Sequence, residues 1–432
     1  MAPSLAVHAR RGAAALATAA VLSATGAAMA PAASADTPPS SGATPAAALF
    51  GSSDPKFDGV FRQSLALLAQ HTAGVSSPKP AVDWLAGQQC ADGGFTAYRA
   101  DAAKACDAKT PLDSNATAAA VQALAALGGH GGAVTKAVGW LKSTQNEDGG
   151  WAYNPGGPSD ANSTSIVIGA LAAAGEDPKK VTSKRGVSAY DGLVAFGLGC
   201  DVDEADRGAF AYQPDKSGKL AANADATAAV ALAGLGKGYA VEPAGKDNTD
   251  PKPLSCKGDE AGTSDPKAAA DAASAYLART MDKEQDGAHL VAAQPGADKP
   301  APDYGNTAEA VIALAAGGHR DAAAKPLKWL EQNSAAWAKQ AGPAAYAQLV
   351  LAAHAAGADP RDFGGADLVS QLTATGPKAE AAASPSEKKD EKKEEKKKDD
   401  KGLGSWWIVG VFFVASVGAG FLLSGRKKKN QL

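Results

Sequence analysis

Residues 140–175, WLKSTQNEDGGWAYNPGGPSDANSTSIVIGALAAAG, constrain the fold most, because the chain repeats this stretch. A helix ends near Gln145, the turn Asp148-Gly149-Gly150 follows, and Trp151 comes next. A Pro/Gly loop then leads through Asp160 into a second helix of small residues. Copies occupy 84–128, 189–236, 276–318 and, more weakly, 329–357. A unit of this size cannot bury its apolar faces alone, so successive copies must stack.

Each copy follows one grammar. Glycine after the first helix accepts the positive φ that a helix C-terminus needs. The aromatic that follows folds back on the helix end, and the Gln before the turn satisfies groups left open there. An Asp or Asn then opens the second helix as N-cap, supported by Thr in the first turn. The second helices read AVQALAAL, TSIVIGALAAA, TAAVALAGL and AEAVIALAAG. They are apolar on nearly every face, as a helix packed on all sides requires. Residues 57–73 add a first such helix, 344–356 a last one, and 362–375 closes the set. The expectation is an all-α fold, an α/α toroid of about six inner and six outer helices. Forty-eight glycines, abundant alanine and 6% aromatic residues suit closely packed helices. The insertion at 236–264 carries Pro, Gly and Asp and is expected on the surface.

The ends address the chain. Arg10 and Arg11 precede an apolar run, and Ala33-Ser34-Ala35 offers small residues for cleavage, so 1–35 reads as a signal peptide. A first membrane helix is the alternative, disfavoured by the short, Ala-rich run. Residues 36–53 form a linker, 54–375 the toroid domain, and 376–402 a charged spacer predicted to be disordered, because EKKDEKKEEKKKDDK has no apolar face. Residues 405–424 are apolar and long enough to cross a bilayer. Trp406 and Trp407 would sit at the outer interface, and the basic tail 425–432 in the cytoplasm. A cell-wall sorting signal shares this layout, but no LPxTG-like site precedes Trp406. The expected product is a single-pass cell-membrane protein with its bulk extracellular.

A net charge of −3 gives no reason to expect a nucleic-acid partner. The six histidines are scattered without ligand spacing, so no metal and no cofactor are expected. Four cysteines in an exported chain imply two disulfides. Of three pairings, proximity along the chain favours Cys90–Cys106 and Cys200–Cys256, with free thiols as the alternative.

The pattern Gln145…Gly149-Gly150-Trp151 resembles the Gln–Trp repeat of squalene–hopene and oxidosqualene cyclases; Gln89…Gly93-Gly94-Phe95 is a degenerate copy. Over 57–375 the chain looks like the terpene cyclase and protein prenyltransferase superfamily of prenyltransferase/squalene oxidase repeats, which implies the toroid. Those cyclases protonate substrate with a D-x-D-D-T-A motif at an inner-helix start. Here Asp113-Ser114-Asn115-Ala116-Thr117-Ala118 and Asp160-Ala161-Asn162-Ser163-Thr164-Ser165 keep the frame but lose both central acids. Asn223-Ala224-Asp225-Ala226-Thr227-Ala228 keeps only Asp225. A proton donor for an alkene needs an acid polarised by neighbours, so this reaction is disfavoured. The Asp/Cys/His zinc set of prenyltransferases and the Gly-Cys-Gly-Glu-Gln run of complement thioester domains are both absent. A more distant likeness is the cobalamin-binding α-domain of transcobalamin and intrinsic factor, which binds at a polar mouth without chemistry.

These readings give two function classes, beside a third option, a purely structural surface protein with no ligand. The first is a non-catalytic, membrane-anchored binding module for a cobalamin-like or other small molecule, with a transporter or a second binding subunit as partner. Its site is the mouth formed by the inner-helix starts: Asp113, Asn115, Thr117, Asp160, Asn162, Thr164, Asn223, Asp225, Thr227, Asp303, Asn306 and Thr307, with Tyr153, Tyr212 and Tyr304 nearby. The second is an enzyme, terpene cyclase-like or a carbohydrate-active α/α barrel, with Asp225 and Asp160 as its acids. A glycan enzyme would also turn Tyr153, Phe210 and Tyr212 toward the axis. Asp201-Val202-Asp203-Glu204 is acidic but follows an outer helix, and reads as a solvated loop.

Overall fold

The chain divides into two units, residues 1–380 and 381–432. The computed structural model describes residues 48–243, 245, 248–257, 265–283, 288–292 and 301–377, all in the first unit. The expected signal peptide, most of the linker, the charged spacer, the membrane span and the basic tail lie outside the described residues. Among the described residues no helix is long and apolar enough to cross a membrane.

The described part is mostly helical. Its helices are α1 (Gly59–Thr72), α2 (Lys79–Gly87), α3 (Ser114–Leu127), α4 (Gly131–Ser143), α5 (Ala161–Ala173), α6 (Ala189–Val194) and α7 (Ala224–Ala233). They continue with α8 (Pro266–Met281), α9 (Tyr304–Ala316), α10 (Arg320–Asn333), α11 (Ala335–Ala341), α12 (Pro343–Ala355) and α13 (Leu368–Ala374). One small hairpin pairs β1 (Leu290–Val291) antiparallel with β2 (Pro302–Asp303), setting Leu290 opposite Asp303.

Helix α1 packs on α3, α3 on α5, α5 on α7, α7 on α9, α9 on α12, and α12 returns to α1. The cycle is therefore closed. Its members are buried almost all round: in α5 every residue from Ala161 to Leu171 except Asn162 is buried. Around them, α2 bridges α1 and α3, α4 bridges α3 and α5, α8 bridges α7 and α9, α10 bridges α9 and α12, and α13 bridges α12 and α1. Of these flanking helices α8 is buried without a break from Ala272 to Leu277, whereas α4 buries one stripe only, Ala137, Val138, Trp140 and Leu141. Small side chains let the ring helices approach closely, which is why their sequences are alanine-rich.

The repeat grammar is now visible as bonds. Trp151 is fully buried and donates its indole N–H to the carbonyl of Leu141 at 2.7 Å, folding back on the end of α4. Gln145 donates to the carbonyl of Gly149 at 2.8 Å, and Gln89 does the same to Gly93 at 3.0 Å. Gly149 has φ +88°, and a Cβ there would lie 2.4 Å from the carbonyl oxygen of Ser188, so no other residue fits. Both disulfides pair as chain proximity favours, Cys90–Cys106 and Cys200–Cys256.

The insertion at 236–264 departs from expectation at its start. The segment after α7 packs against α3 and α5 of the ring, although Lys237, Ala240 and Glu242 remain exposed. The Cα of Gly238 sits close enough to α5 that a Cβ on Gly169 would lie 3.0 Å from it. The backbone N–H of Tyr239 donates to Gln122 of α3 at 2.9 Å, and Val241 is buried. Two facing glycines, neither with a side chain, make this approach sterically possible.

Candidate binding site at the ring mouth

Four ring helices begin with the expected caps. Asp113 accepts from the N–H of Asn115 (2.8 Å) and of Ala116 (2.9 Å). Asp160 accepts from Ser163 at 2.7 Å, Asn223 from Ala226 at 2.8 Å, and Asp303 from Asn306 at 3.0 Å. Neighbouring units supply further acceptors: Ser114 N–H donates to the carbonyl of Tyr153, and Ala161 N–H to that of Tyr212. The first-turn donors that would attract an anion are thus largely engaged within the protein.

The threonines assigned to the mouth are withdrawn from it. Thr117, Thr164, Thr227 and Thr307 are all fully buried. Each hydroxyl accepts from the residue entering its unit: Phe95 N–H at 2.9 Å, Trp151 at 3.0 Å, Phe210 at 2.9 Å and Leu290 at 3.0 Å. They tie the glycine turn to the helix start and leave no atom for a ligand. Phe210 is likewise fully buried and faces no opening.

The residues two beyond each cap behave differently. Asn115, Asn162 and Asp225 occupy that register, and all are half-buried. The Asn162 side-chain N–H donates to Asp225 Oδ2 at 2.8 Å, joining the first turns of α5 and α7. The amide oxygens of Asn115 and Asn162 are buried and have no hydrogen-bond partner, and neither has the hydroxyl of Ser165, one turn below Asn162. One turn below the same register, where α3, α5 and α7 carry Ala119, Ile166 and Ala229, α9 carries Glu309.

These acids feel one another. Crowding by the surrounding helices raises Asp225 to about 6, offset in part by the Asn162 hydrogen bond and assisted by the charges of Asp303 and Asp160. Crowding, then the charges of Asp225 and Asp303, raise Glu309 to about 8. Burial also pushes Asp160 and Asp303 up against the hydrogen bonds they accept. Tyr212 is raised to about 12 by burial and the charges of Asp160 and Asp225. Among the described residues no ion pair involves Asp160, Asp225, Asp303 or Glu309. None of their groupings is tight enough to hold a metal ion.

The inner end of the mouth is the segment that packs on the ring after α7. Burial, then the charges of Glu309 and Asp225, push the Tyr239 hydroxyl well up, which sets it within their field. Gln122 fixes its backbone and also donates to the carbonyl of Ile166 at 3.4 Å.

The remaining assigned residues lie off this centre. Asn306 donates to its own cap, Asp303, at 2.8 Å. Tyr304 stacks on Trp329 (ring centroids 5.0 Å) and Trp337 (5.4 Å), and Trp329 stacks on His289 at 4.2 Å. Tyr153 is 41% exposed beside Asp113. Glu309, Tyr239 and Gln122 were missed in the sequence. The signal for Glu309 was there: it is a lone acid inside an otherwise apolar ring helix, AEAVIALAAG.

No family model and no curated protein matches the chain. Among solved structures, a protein from Actinoplanes is 15% identical over 70% of this chain and 92% of its own, with a TM-score of 0.41. A wild-type glycosidase is 14% identical over 70% of this chain and 99% of its own, with a TM-score of 0.32. Neither likeness bears on what this chain binds.

Proposed function

We propose that the chain is a non-catalytic binding module whose closed helix ring is an α/α toroid of six inner and about six outer helices. Its mouth takes a small molecule rich in hydrogen-bond donors or carrying a positive charge. The carrying observation is the convergence on one centre of acceptors without protein cations: Asp160, Asp225, Asp303 and Glu309, with the open amide oxygens of Asn115 and Asn162. Buried acceptors cost free energy unless a donor arrives, so a ligand supplying donors is favoured. An organic amine fits this description, and so does a corrinoid, whose periphery carries amide N–H groups. The sequence supports export and a C-terminal anchor, with a transporter or second subunit closing over the mouth. Two disulfides agree with an oxidising compartment.

The test is a thermal-shift comparison of putrescine, glucosamine and cobinamide on the wild type and on Asp225→Asn. Stabilisation of the wild type by at least one, lost in the variant, supports the proposal. No stabilisation by any of the three, or the same shift in the variant, overturns it.

A second reading is an enzyme, favoured by one observation. Asp225 near 6 and Glu309 near 8 place an ionised and a protonated carboxyl together at neutral pH. That is the division of labour between base and acid in glycoside hydrolysis. Release of reducing ends from oligosaccharides, abolished by Glu309→Gln, would establish it.

A further inference from the structure

A cavity of about 440 Å³ opens beside the start of α3, lined by the loops around residues 96–99, 107–113 and 153–154 together with Lys56. No residue of α5, α7 or α9 contributes to it, so it is separate from the acidic centre of the ring. We propose that this cavity binds acidic oligosaccharides, chains of uronic-acid type, through two tyrosine rings and two exposed lysines.

The walls are built in advance. The Cys90–Cys106 disulfide closes the loop that carries one side. Arg99 staples that loop, its guanidinium donating to the carbonyls of Gly87 (3.2 Å), Gln89 (3.0 Å) and Ala102 (2.9 Å) and also to that of Lys104. Asn154 donates to the carbonyl of Leu112 at 2.9 Å and holds the other side. A preformed wall spares the ligand the entropy of ordering loops.

Both tyrosine rings line the cavity. Tyr98 stacks on Trp84 with centroids 6.3 Å apart. Tyr153 lies beside the buried Asp113 carboxylate while 41% of the residue stays exposed. An exposed tyrosine offers a flat face with only two side-chain torsions to order, and the C–H face of a pyranose packs on such a ring. The cavity is open to solvent, which excludes a ligand that must be fully enclosed.

Charge selects among sugars. The lining holds Lys56, Arg99 and Lys109 against Asp107 and Asp113. Arg99 is committed to backbone carbonyls, and Asp107 to Lys109 N–H and the Thr110 hydroxyl. Asp113 is committed to its cap. The ammonium of Lys109 makes no ion pair among the described residues, and Lys56 has only a 3.8 Å contact with exposed Asp54. Two exposed ammonium groups beside two aromatic rings suit carboxylate-bearing sugar units.

The test is calorimetric titration of the full chain in detergent with tetragalacturonate and with maltotetraose. The expected result is binding of the acidic tetrasaccharide that weakens as salt rises from about 50 to about 300 mM, because screening acts on exposed charges. The Lys56→Ala/Lys109→Ala variant, altered only at exposed positions, should lose about tenfold in affinity. Tyr153→Ala should lose at least as much, and Tyr153→Phe should retain most of it because the ring remains. Absence of tetragalacturonate binding, equal affinity for maltotetraose, or full affinity in the lysine variant overturns the proposal. None of these outcomes depends on what the acidic mouth binds.

Discussion

Asn162 donates its side-chain amide to Asp225 at 2.8 Å, tying together the first turns of two adjacent ring helices from units more than sixty residues apart in sequence. That single bond shows that the starts of α5 and α7 share one end of the ring. It also lowers the pKa of an acid that its other surroundings raise. In Asn162→Ala, Asp225 should therefore titrate above about 6, read by carboxyl carbon NMR. An unchanged Asp225 would mean that the bond does not form in solution.

Glu309 makes stability depend on pH with a definite sign. Its carboxyl titrates near 8 in the folded chain against an ordinary value of 4.5. Between those values the folded state holds more protons than the unfolded one, so the contribution is full below about 4.5 and is lost as pH rises through about 8. Glu309→Gln removes this dependence. Its melting temperature relative to wild type should rise from pH 5 to pH 8.5 by at least about 2 °C, which corresponds to roughly 1 kcal/mol in a domain of this size. A pH-independent difference would contradict the raised value.

The buried threonines should behave as structural residues. In Thr164→Val the Trp151 N–H loses its acceptor, now at 3.0 Å, within a dry interior. The expected cost is about 1–3 kcal/mol in chemical denaturation. A cost below roughly 0.5 kcal/mol would show that another acceptor takes over.

Gly238 is the point where the inserted segment touches the ring. A Cβ there would lie 2.4 Å from Gln122 Oε1, an atom that also receives the Tyr239 N–H. Gly238→Ala should destabilise the chain by about 1–3 kcal/mol, as overpacking does. It should also perturb Tyr239 fluorescence. A neutral substitution would place the segment away from the ring.

The helices were legible in the sequence because they are repeated. Four caps, Asp113, Asp160, Asn223 and Asp303, stand where the grammar put them, and Trp151 folds back as its position implied. What a cap faces was not legible. Cap and threonine look equally polar on paper, yet Thr227 serves the backbone whereas Asp225, two residues earlier, faces the other acids. Tyr239 escaped notice because loop composition suggested a surface course, and only the pairing of Gly238 with Gly169 lets the loop pack on the ring. Glu309 belongs to the centre through helical register with residues nearly two hundred positions away, a relation that exists only once the ring is assembled.

The central claim is that the acids at the mouth receive a donor-bearing ligand. Its most direct test is calorimetric titration of putrescine at pH 7.5 into the wild type and into the Asp225→Asn/Glu309→Gln double variant. The account predicts saturable binding by the wild type and a loss of at least about tenfold in the variant, as for central contacts of a binding site. Equal binding by the two proteins would contradict it, as would a wild type that binds none of putrescine, glucosamine and cobinamide.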